Sequence, residues 1–179
     1  MSSIKFRQPT LNDGIGIRQL VSTFQPNELN SAYFYYLVCK HFFETSLLAE
    51  EQGNIIGFIF SYIPPQKPDA LFVAHIMVSE TRRREGIASS MMSHLLEQSH
   101  IIPKIEYLET ALTSTNYAAV RLFHRVSQKY KTSVKERLFC SKEHLEPEAK
   151  EDKILVQIGP LTTKQKEKKV VIREFAESQ

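Results

Sequence analysis

The sequence predicts an α/β (α+β) domain: a mixed central sheet of six to seven strands with about four helices on both faces. Three observations predict it. Strand-period and helix-period apolar patterns alternate along the chain. Two apolar runs separated by a Gly53-Asn54 turn make a hairpin. The segment 70–79, ALFVAHIMVS, is apolar throughout, as a central strand covered on both faces must be.

Taken in order, residues 4–9 alternate apolar and polar and stop at Pro9, an edge strand. Thr10 or Asn12 caps a helix to about Phe24, with Ile15, Ile17, Leu20 and Val21 on its apolar side and Gly14 and Gly16 weakening it. Ser31 caps a second helix, in which Tyr33, Leu37, Val38 and His41 or Phe42 recur at three and four. TSLLAEE and NIIGFIFSYI form the hairpin, closed off by Pro64, Pro65 and Pro68. After the central strand comes a helix containing MMSHLLEQ, then a strand in IEYLETALT. Asn116 to about Tyr130 is a helix with Ala119, Leu122, Phe123 and Val126 inward, and VKERLFC and ILVQIG are two final strands. Residues 142–153 and 162–169 are polar enough to be loops.

A chain of 179 residues, 42% hydrophobic and 24% charged, has an ordinary globular composition, which excludes disordered, collagenous and disulfide-scaffold classes. No apolar run approaches the roughly 20 residues that cross a bilayer. MSSIKFRQPT lacks the charged, apolar and cleavable parts of a signal peptide, so the chain is expected in the cytoplasm, with Cys39 and Cys140 as reduced thiols. No second cysteine stands at metal-ligand spacing, and no metal is expected. Of the net charge of +3, two units lie in 160–179, which sets 161–179 apart as a basic tail behind a domain at 1–160. The nearly neutral body argues against nucleic acid as a partner. Its one dense cationic cluster, Arg82-Arg83-Arg84, requires a local explanation.

The neighbours of that cluster supply one. Directly behind the central strand the chain reads Ser79-Glu80-Thr81-Arg82-Arg83-Arg84-Glu85-Gly86-Ile87-Ala88-Ser89-Ser90, and then enters a helix. A strand-turn-helix junction leaves backbone N–H groups pointing outward, which suits an anion. Gly86 and Ala88 let phosphate oxygens approach, and arginines on the same loop add charge-assisted bonds. Arg83 to Ser89 therefore read as a phosphate site, while Arg82 either reaches a phosphate or faces water.

Arg83-x-x-Gly86-x-Ala88 resembles the acetyl-CoA pyrophosphate signature of the GCN5-related N-acetyltransferases, and the order of elements around it is similar to a single domain of that fold. A narrower resemblance runs through FRQPTLNDG at 6–14, LNSAYFYYLVCKHFFETSLLAE at 29–50, GFIFSYIPPQKPDALFV at 57–73, YLETALTSTNYAAVRLF at 107–123 and IGP at 158–160. These segments are similar to the diaminobutyrate acetyltransferases of ectoine biosynthesis, which acetylate the 4-amino group of L-2,4-diaminobutyrate.

The resemblance implies acetyl-CoA as co-substrate and direct attack by a primary amine, without a covalent enzyme intermediate. Arg83, Arg84, Glu85, Gly86, Ile87, Ala88 and Ser89 would then hold the pyrophosphate. Backbone N–H groups at Ile76, Met77 and Val78 would pair with pantetheine and polarise the thioester carbonyl, and Asn116 would head the pantetheine-facing helix. A free alkylamine has a pKa near 10, so a base or a desolvating pocket is required. Glu109 and His75 are the candidate bases, and both also count as substrate contacts. Glu28, Asn30 and Tyr33 would contact the acceptor, the alternative being a capped helix that packs Tyr33 and Tyr35 into the core. Phe123 stands where the family carries a tyrosine acid, so that either Tyr117, another donor or water protonates the thiolate, or the thiolate leaves without an acid. Ala74-His75 stand where it carries Trp-Gln. Other diamino acids, polyamines, amine-bearing antibiotics, a protein amine, or CoA sensing without catalysis are the alternatives. A homodimer is expected from the resemblance and from the apolar triplet Val170-Val171-Ile172 in the tail.

Overall fold

The computed structural model describes residues 3–24, 26, 29–97, 105–145 and 149–161. Glu28 and the tail from 162 onward lie outside the described residues. Among the described residues, seven strands form one mixed sheet in the order β1-β2-β3-β4-β5-β7-β6, with four α-helices, as the sequence predicts. The chain divides into two compact units, residues 1–62 with 74–96, and 63–73 with 97–179.

In the first unit, β1 (Lys5–Arg7) pairs antiparallel with β2 (Leu47–Glu51), which pairs antiparallel with β3 (Asn54–Tyr62). The hairpin turn is Gln52-Gly53, both at positive φ (51° and 80°), and Asn54 already belongs to β3, one residue earlier than the predicted turn. Two consecutive residues at positive φ give the turn that matches the twist of the flanking strands. Asp13 joins β1 to α1 (Gly14–Phe24): it accepts from both terminal nitrogens of Arg7 at 2.8 Å, and from the Thr10 backbone N–H and hydroxyl at 2.7 Å.

α1 buries Ile17, Leu20 and Val21, whereas Ile15 is exposed, contrary to the sequence expectation. At 100° per residue, Ile15 lies about 200° from Ile17 and cannot share its face. α2 (Ala32–His41) is capped by Ser31, whose hydroxyl accepts from the Phe34 N–H at 3.3 Å. Its buried stripe is Tyr35, Val38 and Cys39: Val38 is buried as expected, whereas Leu37 is only half-buried and Tyr33, His41 and Phe42 are exposed. These side chains join Ile17, Leu20, Val21, Leu48, Phe58, Phe60 and Met77 in the core. Burial pushes the Cys39 thiol up to about 11, so it stays protonated and serves as a small apolar group.

β4 (Ala70–Val78) belongs to both units. Its later half, from Ala74, leads into α3 (Ile87–Leu96), which buries Ile87, Met91, Met92, Leu95 and Leu96. Gly57 in β3 keeps this packing close: a Cβ there would stand 2.8 Å from Met91 Sδ and 3.3 Å from the Met77 carbonyl oxygen.

In the second unit, the first half of β4 pairs in parallel with β5 (Tyr107–Leu112), from Ala70 against Tyr107 to Val73 against Thr110. β7 (Lys153–Gly159), last in sequence, runs antiparallel between β5 and β6 (Ser133–Cys140). α4 (Tyr117–Lys129) buries Leu122, Phe123 and Val126 as expected. β6 is a sheet edge, and Lys135, Glu136, Arg137, Leu138 and Phe139 are all exposed along it.

Candidate active site

The phosphate-loop region begins at the end of β4. The Ser79 N–H donates to the Ile56 carbonyl at 2.8 Å, tying the strand end to β3. A short turn, Glu80–Arg82, comes next, closed by bonds from Arg82 N–H to Ser79 O and from Arg83 N–H to Glu80 O. The backbone then takes positive φ at Arg84 (67°) and Gly86 (81°), and α3 starts at Ile87. Positive φ alternating with ordinary φ produces concavities lined by N–H groups that accept anions.

The Ser90 N–H bonds back to Gly86 O at 2.9 Å. The N–H groups of Ile87, Ala88 and Ser89 precede that bond, so they lie in the stretch of a helix start that lacks intrahelical acceptors. A Cβ built on Gly86 meets nothing within 4 Å, so the space over the loop is open and the glycine is required by its φ.

The three arginines differ. Arg82 forks onto Glu85, with Nε 3.0 Å from both carboxylate oxygens and Nη2 2.9 Å from Oε2, and its Nη1 also pairs with Glu51. Arg83 pairs with Glu80 at 2.8 Å, both side chains about half-exposed. Arg84 is exposed and has no carboxylate partner among the described residues. The expected loop residues are thus together, with Arg84 uncommitted and the Glu85 carboxylate turned to Arg82.

On β4, the Met77 side chain is buried in the core, so only its backbone is available to a ligand, while Ile76 and Val78 are half-buried. Ala74 is exposed. His75 is half-buried, its ring 6.3 Å from Phe58 and tilted 35° to it. Asn30 is exposed, and its backbone N–H donates to the Tyr35 hydroxyl at 3.2 Å. The two tyrosines part company: Tyr35 is core at 2% exposure and Tyr33 faces solvent at 70%, so they do not pack the core jointly.

In the second unit, Glu109 on β5 is 4% exposed. Its Oε1 accepts from Lys67 Nζ at 2.6 Å and from Gln157 Nε2 at 2.6 Å, and Lys67 Nζ also sits 4.8 Å above the Tyr107 ring. Gln157 is Glu109's direct neighbour on β7. A buried carboxylate bonded this way is fixed in its orientation. Lys67 and Gln157 do not stand out in the sequence. The one signal is a glutamine interrupting the apolar strand ILVQIG.

Asn116 caps α4 as expected, its side-chain oxygen accepting from the Ala119 N–H at 3.2 Å. Tyr117 is 64% exposed and Phe123 is core at 1%. Sequence patterns also give no sign of a cleft of about 300 Å³ lined by Ser114, Lys142, Lys150, Glu151, Asp152 and Ile154. Hydrogen bonds from Thr115 and Ser114 hold the Glu151 carboxyl below the usual carboxylate range. Among the described residues no group of three His, Cys, Asp or Glu is placed to hold a metal ion, and no helix is long and apolar enough to cross a membrane.

Residues 15–127 match the model of the acetyltransferase (GNAT) family. The chain belongs to this family. Within it, the chain is 36% identical over 168 residues to an L-2,4-diaminobutyric acid acetyltransferase from Marinococcus halophilus, covering 90% of this chain and 93% of the relative. A second such enzyme, from Bordetella parapertussis, is 35% identical over 87% of this chain and 84% of its own length. Among solved structures, the diaminobutyrate acetyltransferase of Paenibacillus lautus, in complex with its substrate L-2,4-diaminobutyric acid and coenzyme A, superposes with a TM-score of 0.86 at 29% identity. That match covers 91% of this chain and 98% of the other. The ribosomal-protein-S18-alanine N-acetyltransferase of Escherichia coli, at TM-score 0.68 and 13% identity, shares the GNAT fold alone.

Proposed function

We propose that this GNAT chain transfers the acetyl group of acetyl-CoA to L-2,4-diaminobutyrate, at its 4-amino group. The observation that carries this is the likeness to the Paenibacillus lautus enzyme, which holds that substrate and coenzyme A and matches nine-tenths of this chain. The loop fits the co-substrate on its own terms: open space above Gly86, free helix-start N–H groups and an uncommitted Arg84 suit a pyrophosphate.

Acetyl-CoA supplies the acetyl group as a thioester. The N–H groups of Ile87, Ala88 and Ser89, with Arg84 and Arg83, bind its diphosphate, and Asn116 heads the helix facing pantetheine. Backbone N–H groups at Ile76, Met77 and Val78 polarise the acetyl carbonyl, and loss of one such donor typically costs about 3 kcal/mol of transition-state stabilisation. Glu109, already shared by Lys67 and Gln157, acts as a fixed negative charge for an ammonium group of the substrate. His75, half-buried beside exposed Ala74, takes the proton that the attacking amine must lose. Asn30 and Tyr33, with Glu28, contact the acceptor. The enzyme works as a cytoplasmic homodimer, and light scattering on the full chain and on residues 1–161 tests both the dimer and the tail's part in it.

The experiment is a turnover assay with 2,4-diaminobutyrate in which chromatography separates the 2- and 4-acetyl products. The expected result is thiol release matched by 4-acetyl product, and acetyl-CoA consumption with other amines alone would overturn the substrate. One observation favours a second reading: Ala74 is small and exposed, leaving room for a longer diamino acid. Ornithine and lysine in the same assay test it, and turnover above that of diaminobutyrate would establish it.

A further inference from the structure

The arginine triplet is less cationic than its sequence suggests. Arg82 is held by two carboxylates, from Glu85 on its own loop and from Glu51 at the end of β2, and Arg83 is paired with Glu80. Counting these carboxylates, the segment's surplus of positive charge is cancelled, so bare cationic attraction is not what the loop offers a phosphate.

The geometry of the Arg82 fork suits a different task. The bond to Glu85 spans i to i+3 and straddles Arg84, a non-glycine residue at φ 67°. A left-handed non-glycine residue is disfavoured and persists only where its surroundings enforce it. The third contact, to Glu51, reaches 31 residues back to the hairpin end. Isolated surface ion pairs contribute little to stability, but a fork between two carboxylates fixes an orientation.

We propose that Arg82 is a positioning residue and not a phosphate ligand: clamped between Glu51 and Glu85, it holds the loop in the curve that binds the diphosphate. The proposal rests on the phosphate-loop role given above.

Titration calorimetry of the full chain with coenzyme A and with its 3′-dephospho form separates the possibilities. Arg82→Met is expected to weaken both ligands by the same factor, about tenfold, as for loss of an orienting charged hydrogen bond. Its kcat at saturating acetyl-CoA is expected to stay within twofold while KM for acetyl-CoA rises. Arg82→Lys remains weakened, because an ammonium cannot fork onto Glu85 while reaching Glu51.

Glu85→Gln gives the opposite sign under the two accounts, and it serves if Arg82→Met does not fold. A clamp loses its grip and binding weakens, whereas an arginine meant for phosphate would be freed and binding would tighten. Tighter binding by Glu85→Gln, or an Arg82→Met chain that no longer distinguishes coenzyme A from the dephospho form, overturns the proposal, as does unchanged binding by Arg82→Met. A parent chain that binds neither ligand removes the phosphate-loop role itself, and the clamp with it.

Discussion

The loop at residues 80–90 and the cluster around Glu109 both gather charged side chains, but they solve opposite problems. In the loop the backbone N–H groups of Ile87, Ala88 and Ser89 lie in the first turn of a helix, which lacks intrahelical acceptors, the space over Gly86 is open and Arg84 has no carboxylate partner among the described residues. Around Glu109 one carboxylate oxygen takes two short bonds, and the ammonium that neutralises it rests on a tyrosine ring. The loop keeps polar groups in reserve for something that arrives, whereas the cluster fixes one oxygen of its carboxylate in place beforehand. A sequence shows both as a charge on or beside a strand, and only the partners tell an open loop from a carboxylate already held.

The contrast breaks most sharply at Gly86. Valine there forces a β-branched residue to φ 81° and puts methyl groups in the open space, so kcat/KM for acetyl-CoA is expected to fall roughly three-hundredfold, with the melting temperature moved by only a few degrees. A large loss of stability with intact acetyl-CoA KM would mean the loop is structural. Next is Glu109→Ala, which strands Lys67 and Gln157. Removing one partner of a buried pair costs 3–5 kcal/mol, and the partial exposure of Lys67 places this case at about 3 kcal/mol in denaturant unfolding, with KM for acetyl-CoA unchanged. Glu109→Gln is expected to keep kcat within tenfold at pH 8. A loss of 10²-fold or more, the usual range for a general base, would make Glu109 the base after all.

The smallest effect belongs to Asp13, which serves neither chemistry. Hydrogen bonds from Arg7 hold its carboxyl down to about 2. Because the folded value lies below the unfolded one, near 4, its contribution of about 2 kcal/mol is complete above pH 4 and is lost as pH falls from about 4 to about 2. Thermal melts of Asp13→Asn between pH 2 and 7 should show a flatter acid limb than the parent. An unchanged limb would mean that the pair adds nothing.

Local chemistry was legible and long-range pairing was not. The apolar run at 70–79, the Asn116 cap and the glycine at the helix start each need only their immediate neighbours, and each stands where the sequence puts it. Tyr33 stands off the buried stripe because helical spacing defines a stripe without saying which one is covered, whereas Ile15 is turned away by the spacing itself, about 200° from Ile17. The partners that decide Glu109 and Arg82 lie 42, 48 and 31 residues away, and no pattern in the chain couples Lys67 or Gln157 to Glu109, or Glu51 to Arg82. What the fold adds is therefore a statement of which charges are already spoken for.

The exposed edge at β6 has a colloidal consequence. An eight-residue strand at the rim of a sheet, carrying Leu138 and Phe139 in the open, is a template on which stray extended chains can grow. Phe139 is partly masked by its ring contact with Phe72 at 5.9 Å. Three consecutive charges, Lys135-Glu136-Arg137, occupy the middle of the strand, so an incoming chain must desolvate alternating signs before it can add hydrogen bonds. Protection of the open edge thus rests on three surface charges.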